Sequence, residues 1–328
     1  LPGQLIIGSD SHTPHSGALG CVAFGVGTTA IFNSWITKDV YSYVPETVRI
    51  VCTGKKPEGI TAKDMMLAIL ATEYVRGGQA IGKMVEYCGE AVEALSIDER
   101  ATMTNMAAEV GAFSGIVAPD EKTVEFLMRE RGIDANDARQ LCAGLRSDYD
   151  AQYVHTIEID VSTLPVLVAT PGDPGNGVPL ADLGDIAIEI AYGGSCTAGK
   201  KEDMDMYAHV LQEALDNGQR VADGVEFWIQ FGSQEVKQYC LQQGYLEVFE
   251  KVGAQIIEPS CGACINAGPG VSRRPDQVSV SAINRNFPGR SGPGLMYLAS
   301  PLTVAASAIA GKIVAWDPDA VKKAAATK

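Results

Sequence analysis

The chain has 328 residues, of which 46% are hydrophobic and 35 are glycine, so it is long enough for roughly two or three folded units. Its 40 acidic and 26 basic residues give a net charge of −14, and such a surface repels the phosphate backbone of nucleic acids. No apolar run reaches about twenty residues, since polar residues interrupt the longest stretch, Leu302 to Ala315, which predicts a packed helix. Composition therefore argues against nucleic-acid and membrane partners.

A short predicted strand, Gln4 to Ile7, leads into a polar loop of sequence Gly-Ser-Asp-Ser-His-Thr-Pro-His at residues 8–15, and a helix of small residues is predicted to follow. An aspartate two residues before a histidine can orient the imidazole ring. His12 is therefore a candidate proton handler near neutral pH, with Asp10 and Ser11 beside it. The alternative is that Asp10 or Ser11 caps a helix and that His12 is polar surface.

The middle of the chain alternates predicted strands and helices: strand Val48 to Thr53, helix Thr61 to Tyr74, strand Met84 to Cys88, helix Ile97 to Gly111, strand Ser114 to Val117 and helix Glu121 to Arg131. The capping box Ser96-Ile-Asp-Glu99 opens the second of these helices. Asn105 and Glu109 are four residues apart in it and are predicted to share a face. Glu109 is a candidate acid/base group or histidine partner, although an ordinary surface glutamate is the default at such a position.

Three cysteines lie in two well-separated loops, each predicted to follow a strand. Strand Ile186 to Ala191 precedes Cys196, and strand Ala254 to Ile257 precedes the pair Cys261-Gly-Ala-Cys264. Both loops are expected to leave the same edge of one sheet, where open α/β sheets place their ligands. Three thiolates are one short of a closed tetrahedral site, so a metal or cluster held by them keeps one position for substrate.

A lone CxxC pair has other interpretations. A structural zinc site calls for a second closely spaced pair, which the sequence does not contain. A redox dithiol opens a helix directly, whereas Cys264 runs into Ile-Asn-Ala-Gly-Pro-Gly, which is typical of a loop. Both alternatives are weaker than a three-cysteine site.

A further polar loop follows the predicted strand Gln277 to Val280. It carries Asn284, Arg285 and Arg290, whose planar donors suit carboxylate groups. The alternative is that the two arginines are solvated loop charges. The surrounding elements again alternate, with helix Glu202 to Leu215, strand Val225 to Ile229 and helix Gln234 to Gln242. This alternation predicts parallel sheets covered by helices.

Taken together, these motifs resemble the aconitase superfamily, which includes aconitase, homoaconitase and the large subunit of 3-isopropylmalate dehydratase. The matching segments are Gly8-Ser-Asp-Ser-His-Thr13, Asn105 to Glu109, Ser195-Cys-Thr197, Cys261-x-x-Cys264 and Asn284-Arg-Asn-Phe287 with Gly289-Arg290, in the order of the family. The resemblance implies three-layer α/β/α units with mainly parallel sheets around an iron-sulfur site. The predicted units are residues 1–46, 47–164 and 165–328.

The resemblance also implies a cofactor and a reaction. Cys196, Cys261 and Cys264 look like the three ligands of a [4Fe-4S] cluster whose fourth iron is open. The implied activity is that of a hydro-lyase, which reversibly dehydrates a small anionic hydroxy acid such as isopropylmalate, citrate or homocitrate. Asp10, Ser11 and His12 match residues near the open iron.

The same resemblance assigns roles to the remaining candidates. Glu109 matches a carboxylate that partners a catalytic histidine, and Asn105 matches the asparagine one turn before it. Asn284 matches a residue at the cluster, while Arg285 and Arg290 look like binders of substrate carboxylates.

The chain also departs from the family pattern. Ala198 stands where relatives usually have asparagine, which puts the identity of the substrate in question. The family has an upstream segment with two catalytic histidines, one of which would face Glu109, and a swivelling domain that supplies a catalytic serine. We therefore expect a fragment or subunit that binds a cluster, turns over poorly alone and works with a small swivelling subunit or domain.

An oxidisable cluster favours a reducing cytoplasm or organelle interior. The alternative function is that of a catalytically incomplete iron-sulfur relative with a regulatory or electron-transfer role.

Overall fold

Three sheets organise residues 1–317, the part of the chain that the computed structural model describes. The chain divides into two compact units. Unit 1 comprises Leu1–Lys56 and Thr72–Thr163, and unit 2 comprises Pro57–Ala71 and the chain from Leu164 onward. Unit 1 contains a two-stranded and a four-stranded sheet, and unit 2 contains a seven-stranded sheet.

The strands are β1 (Leu5–Gly8), β2 (Val22–Gly25), β3 (Thr47–Thr53), β4 (Met84–Cys88), β5 (Ser114–Val117), β6 (His155–Asp160), β7 (Leu167–Ala169), β8 (Gly177–Pro179), β9 (Ile190–Gly194), β10 (Glu226–Gln230), β11 (Gln255–Ile257), β12 (Val278–Ser281) and β13 (Leu295–Leu298). The α-helices are α1 (Thr28–Thr37), α2 (Ala62–Leu70), α3 (Glu73–Arg76), α4 (Glu90–Ala94), α5 (Ile97–Asn105), α6 (Glu121–Arg131), α7 (Ala135–Cys142), α8 (Ser195–Ala198), α9 (Lys201–Asp216), α10 (Gln234–Gln243), α11 (Tyr245–Val252) and α12 (Pro301–Ala310). Short 3-10 helices span Thr13–Leu19, Met106–Ala108, Val161–Thr163, Leu180–Asp182 and Gly262–Ile265.

In unit 1, all strand pairs are parallel, with β1 beside β2 and the larger sheet in the order β5-β4-β3-β6. The 3-10 helix Thr13–Leu19 packs tightly against β5. A Cβ atom on Gly17 would lie 1.9 Å from the carbonyl oxygen of Gly115, so only glycine allows this approach. Close packing here holds the loop that carries His12 against the sheet.

In unit 2, the seven strands run in the order β11-β10-β9-β12-β13-β7-β8, and only the pairs that include β7 are antiparallel. Successive residues of β9 point to opposite faces. Ala191 joins a core with Tyr207 of α9, and Tyr192 joins a second core with Leu67 of α2. Helices therefore cover both faces of this sheet, as a three-layer α/β/α arrangement requires.

These sheets confirm the predicted α/β class with mainly parallel strands. Several boundaries differ from the prediction. The single helix predicted from Thr61 to Tyr74 is two helices, α2 and α3, and α2 belongs to unit 2. The strand predicted at Ile186 to Ala191 is β9, which begins at Ile190 and ends at Gly194.

Each sheet lies within one of the ranges 1–46, 47–164 and 165–328. The compact units, however, join the first two ranges and place Pro57–Ala71 with the third. The division into three units stays a prediction, and its residues 318–328 lie outside the described part. None of the helices within residues 1–317 combines the length and apolar character needed to cross a membrane.

Candidate active site

The first cysteine loop begins where β9 ends. Gly194 has φ +120°, and a Cβ atom there would lie 2.0 Å from the carbonyl oxygen of Gln230, so a side chain has no room. Ser195 follows in the left-handed region with φ 67°, a conformation that costs a non-glycine residue free energy and is often found at functional sites. This turn presents Cys196 at the surface, on the short helix α8.

Three buried side chains hold this turn in place. The ammonium group of Lys200 donates hydrogen bonds to the carbonyl oxygen of Thr197 and to Asp203 Oδ2, the latter at 2.6 Å. The hydroxyl of Tyr207 donates to the carbonyl oxygen of Ala198 and accepts from Gly194 N, both at 3.1 Å. Burial raises the pKa of Tyr207 well above its ordinary value, so the phenol stays protonated and can donate.

The second cysteine loop follows β11, and the 3-10 helix Gly262–Ile265 carries Cys264. Cys261 is exposed and Cys264 is buried. Tyr192 donates to Gln230 Oε1 at 2.7 Å, and Gln230 Nε2 donates to Ser260 Oγ at 2.7 Å. This chain of hydrogen bonds ties the loop to the centre of the sheet.

The third loop follows β12 and brings polar side chains to Cys264. The Cys264 thiol donates to Asn284 Oδ1, with an S···O distance of 3.5 Å, and Arg290 Nη2 lies 3.6 Å from Cys264 Sγ. Burial raises the pKa of Cys264, while the charges of Arg290 and Arg285 lower it and that of Cys196 raises it further. Cys196 and both arginines are therefore within electrostatic reach of Cys264.

All three loops leave the carboxyl ends of strands that are parallel to one another, β9, β11 and β12, so they meet at one edge of the sheet. All six candidates that the sequence placed on unit 2 lie on loops at this edge: Cys196, Cys261, Cys264, Asn284, Arg285 and Arg290. Side-chain contacts join Cys264 to Asn284 and Arg290. Within residues 1–317, no three histidine, cysteine, aspartate or glutamate side chains surround a single ion position. The Nε atom of Arg290 is buried and has no hydrogen-bond partner among the described residues.

The remaining candidates lie in unit 1. His12 is 9% exposed, and its Nε2 atom lies 3.2 Å from Oε1 of the buried Glu109. Its Nδ1 atom lies 3.2 Å from Ser11 Oγ, and its backbone N–H donates to Asp10 Oδ1 at 2.6 Å. An ionised carboxylate only accepts hydrogen bonds, so a neutral His12 carries its proton on Nε2 and accepts from Ser11 at Nδ1.

The expectation that Glu109 faces a histidine from an upstream segment stays a prediction. Among the described residues, Glu109 Oε1 contacts His12 of the polar loop. The two residues are 97 positions apart in sequence, and the packing of α5 against the 3-10 helix Thr13–Leu19 brings them together. Periodicity along the chain carries no information about such a pairing.

The helix predicted from Ile97 to Gly111 is shorter in the structure. Helix α5 ends at Asn105, and a 3-10 turn separates Asn105 from Glu109, although both side chains contact histidines of the polar loop. Asn105 is fully buried and its Nδ2 atom lies 3.3 Å from His15 Nδ1, while Thr104 Oγ1 donates to the carbonyl oxygen of His15. Asn105 is thus a partner of His15.

Sequence reasoning missed the residues that hold the loops. The pair Lys200 and Asp203 has the spacing of one helical turn, a signal that could have been found. Nothing in the sequence around Tyr192 and Gln230 indicates that they meet, because they lie on neighbouring strands and are 38 residues apart.

The sequence matches the Aconitase family (aconitate hydratase) over residues 1–185 and 181–311. It is 40% identical to 3-isopropylmalate dehydratase large subunit 1 of Methanopyrus kandleri over 314 residues, covering 95% of this chain and 72% of that protein. It is 41% identical to 3-isopropylmalate dehydratase large subunit 1 of Pyrococcus furiosus over 327 residues, covering 98% of this chain and 73% of that protein.

Among solved structures, the chain is similar to the holo-form of aconitase X from Thermococcus kodakaraensis. The TM-score is 0.49 at 14% sequence identity, and the match covers 86% of this chain and 62% of that one. A likeness at this level supports no inference about function.

Proposed function

The chain belongs to the aconitase family, and from this premise we propose that it is the cluster-binding large subunit of a hydro-lyase that acts on 3-isopropylmalate. Family membership makes the chain a hydro-lyase, an enzyme that removes water from a hydroxy acid or adds it back. The choice of 3-isopropylmalate over citrate and homocitrate rests on relatives of that name with about 40% identity along nearly the whole chain.

The observation that carries the proposal is the grouping of three thiols with two arginines and an asparagine at one edge of the seven-stranded sheet. Cys196, Cys261 and Cys264 suit a [4Fe-4S] cluster, which binds each thiolate to a different iron and does not need ligands around one ion position. When bound, such a cluster supplies a Lewis acid that polarises a hydroxyl or carboxylate oxygen. An electron carrier would have no need of the neighbouring carboxylate-binding groups.

Arg285 and Arg290 bind the substrate carboxylates in this proposal. Guanidinium groups form paired hydrogen bonds with carboxylates, which orients the substrate as well as attracting it. The buried Nε atom of Arg290 fits this role, since a carboxylate oxygen would satisfy a donor that has no partner among residues 1–317. This local positive charge also explains how a chain of net charge −14 can bind an anion.

In this proposal, His12 accepts and donates the proton that the reaction transfers. Glu109 holds the Nε2–H group and so fixes the tautomer and the direction of the ring, which leaves Nδ1 to accept or donate a proton beside Ser11. Asp10 Oδ1 accepts from the backbone N–H of His12 and lies 3.5 Å from its Nδ1 atom, so it stabilises the ring once Nδ1 has accepted a proton. Asn105 holds the neighbouring His15 in place.

We further propose that the chain works with a small subunit, since its relatives are named large subunits. A reducing compartment such as the cytoplasm suits the oxidisable cluster.

The test is anaerobic reconstitution of the chain with iron and sulfide, followed by electron paramagnetic resonance after mild oxidation. We expect a three-iron signal that is lost when a fourth iron is added, and a spectrum of the reduced four-iron form that shifts with 3-isopropylmalate more than with citrate or homocitrate. Cys196→Ser should lose the cluster, while the control Cys142→Ser on α7 should keep it. A cluster indifferent to all three acids would contradict the proposal, as would full iron content in Cys196→Ser.

A further inference from the structure

Lys63 is a buried lysine on α2, with only 2% of its surface exposed. Its ammonium group donates hydrogen bonds to the carbonyl oxygens of Ile283, at 2.5 Å, and Ala282, at 3.5 Å. Burying an ammonium group costs much free energy unless strong hydrogen bonds compensate, so its contacts constrain the structure at this point. These carbonyls lie 220 and 219 residues further along the chain, which makes the contact wholly a product of the fold.

The two carbonyl groups lie at the start of the loop that follows β12. The next residue, Asn284, contacts Cys264, and Arg285 follows it. On the far side, Asn286 donates to the carbonyl oxygens of Thr170 and Met296, at 2.8 and 3.1 Å. The segment that carries Asn284 and Arg285 is therefore held at both ends, by Lys63 before it and by Asn286 after it.

Helix α2 gives Lys63 a rigid base. The fully buried Asp64 accepts hydrogen bonds from both the backbone N–H and the hydroxyl of Thr61, which close the capping box at the start of the helix. The other carboxylate oxygen of Asp64, Oδ1, accepts a hydrogen bond from Leu167 N on β7 at 3.0 Å. The helix start is thus fixed to the same sheet whose edge carries the candidate site, and its lysine has little freedom to follow a displaced loop.

We propose that Lys63 is a positioning residue for binding of the hydroxy-acid carboxylates. It touches no substrate. It fixes the carbonyls of Ala282 and Ile283 and thereby sets the direction in which Asn284 and Arg285 leave the sheet. This inference rests on the proposed function for the ligand, whereas the anchoring of the loop stands independently of it.

The test compares Lys63→Met, which keeps the length of the side chain and removes the donors, with Lys63→Gln, which keeps a neutral donor. Lys251→Met is the control, because Lys251 is 61% exposed and pairs only with Glu247 within its own helix in the described contacts. The first readout is amide hydrogen exchange across residues 282–290 of the full chain without cluster. The second is the affinity of the reconstituted chain and its small subunit for 3-isopropylmalate.

We expect exchange in residues 282–290 to become about tenfold faster in Lys63→Met, and the affinity for 3-isopropylmalate to fall about tenfold, as loss of a charged hydrogen bond predicts. Lys63→Gln should show smaller effects in the same direction, and iron content should equal that of the wild type. A merely structural role would lower stability without this local increase in exchange or the weaker binding.

Wild-type exchange and wild-type affinity in both variants would overturn the inference. If Lys63→Met fails to fold, Lys63→Gln decides the question by the same two readouts. Failure of the proposed function gives a different result, namely a wild-type holoprotein that binds none of the hydroxy acids, while exchange still reports on the anchoring by Lys63.

Discussion

At the scale of single residues, the pairing of His12 with Glu109 has the clearest chemical consequence. The side chain of Glu109 is fully buried, and its carboxylate lies 3.2 Å from Nε2 of His12, a histidine that is itself 9% exposed. In the proposed reaction, the carboxylate can therefore act only through the imidazole ring. A change of charge at Glu109 alters the ring's tautomer and orientation without removing the ring.

We expect Glu109→Gln to lower kcat about a hundredfold, because the amide keeps the shape of the side chain but loses the charge that fixes the Nε2–H tautomer. The assay follows formation of the unsaturated product by absorbance, with the reconstituted chain and its small subunit. Glu125→Gln on the exposed side of α6 is the matched control and should keep its activity. Wild-type turnover in Glu109→Gln would remove the carboxylate from the mechanism.

At the scale of elements, an ion pair joins α5 to the start of α6. Arg100 is fully buried on α5, and its two terminal nitrogens donate to Asp120 at 2.9 and 2.6 Å. Asp120 also caps α6 by accepting from Lys122 N and Thr123 N. Burial raises the pKa of Asp120, but the hydrogen bonds and charge of Arg100 outweigh it and leave the pKa below its ordinary value of 3.8.

This lowered pKa predicts how the stability of the pair depends on pH. The contribution of this ion pair to the free energy of unfolding is complete at neutral pH. It begins to fall near the ordinary aspartate pKa and is lost once the pH drops below the pKa of the folded state. Asp120→Asn should cost about 2 kcal/mol at pH 7, a figure reduced for the partial exposure of Asp120. The difference in the free energy of unfolding between Asp120→Asn and the wild type should become smaller towards pH 3.

Urea unfolding at several pH values measures this effect. The neighbouring substitution Glu121→Gln is the control, since Glu121 pairs with Arg139 and both side chains are more than half exposed. We expect it to change stability by less than about 0.5 kcal/mol. A pH-independent difference for Asp120→Asn would show that the substitution disturbs local packing rather than the charge pair, since asparagine can still cap the helix.

At the scale of the whole molecule, net charge and family membership lead to a prediction about assembly. The chain carries a charge of −14, and its relatives are named large subunits. We expect the reconstituted chain to dehydrate 3-isopropylmalate slowly alone and at least about a hundredfold faster when the small subunit of a relative is added, because general acid–base groups contribute effects of that size. Comparing initial rates with and without the small subunit measures this. Equal rates would contradict the assignment as a subunit.

Much of the local structure could be predicted from the sequence. Strands β4 and β5 and helix α6 have the predicted boundaries, because alternating or helical hydrophobic spacing is a property of the local chain. The end of β9 could not be predicted in this way. A pair of glycines is typical of a turn, but Gly193 and Gly194 are the last two residues of the strand. Tyr207 and the carbonyl oxygen of Gln230 lie so close to them that a Cβ atom would have no room at either position.

The candidate residues follow the same division. The sequence by itself determined which side chains offer thiolate, imidazole and guanidinium chemistry, and in which family they recur, because residue types and their order are written in the chain. The tertiary structure decided that Glu109 faces His12, that Asn105 faces His15 and that Lys63 holds the loop before Asn284. Each of these contacts joins residues about 90 to 220 positions apart, and only the packing of helices and sheets brings such positions within hydrogen-bond distance.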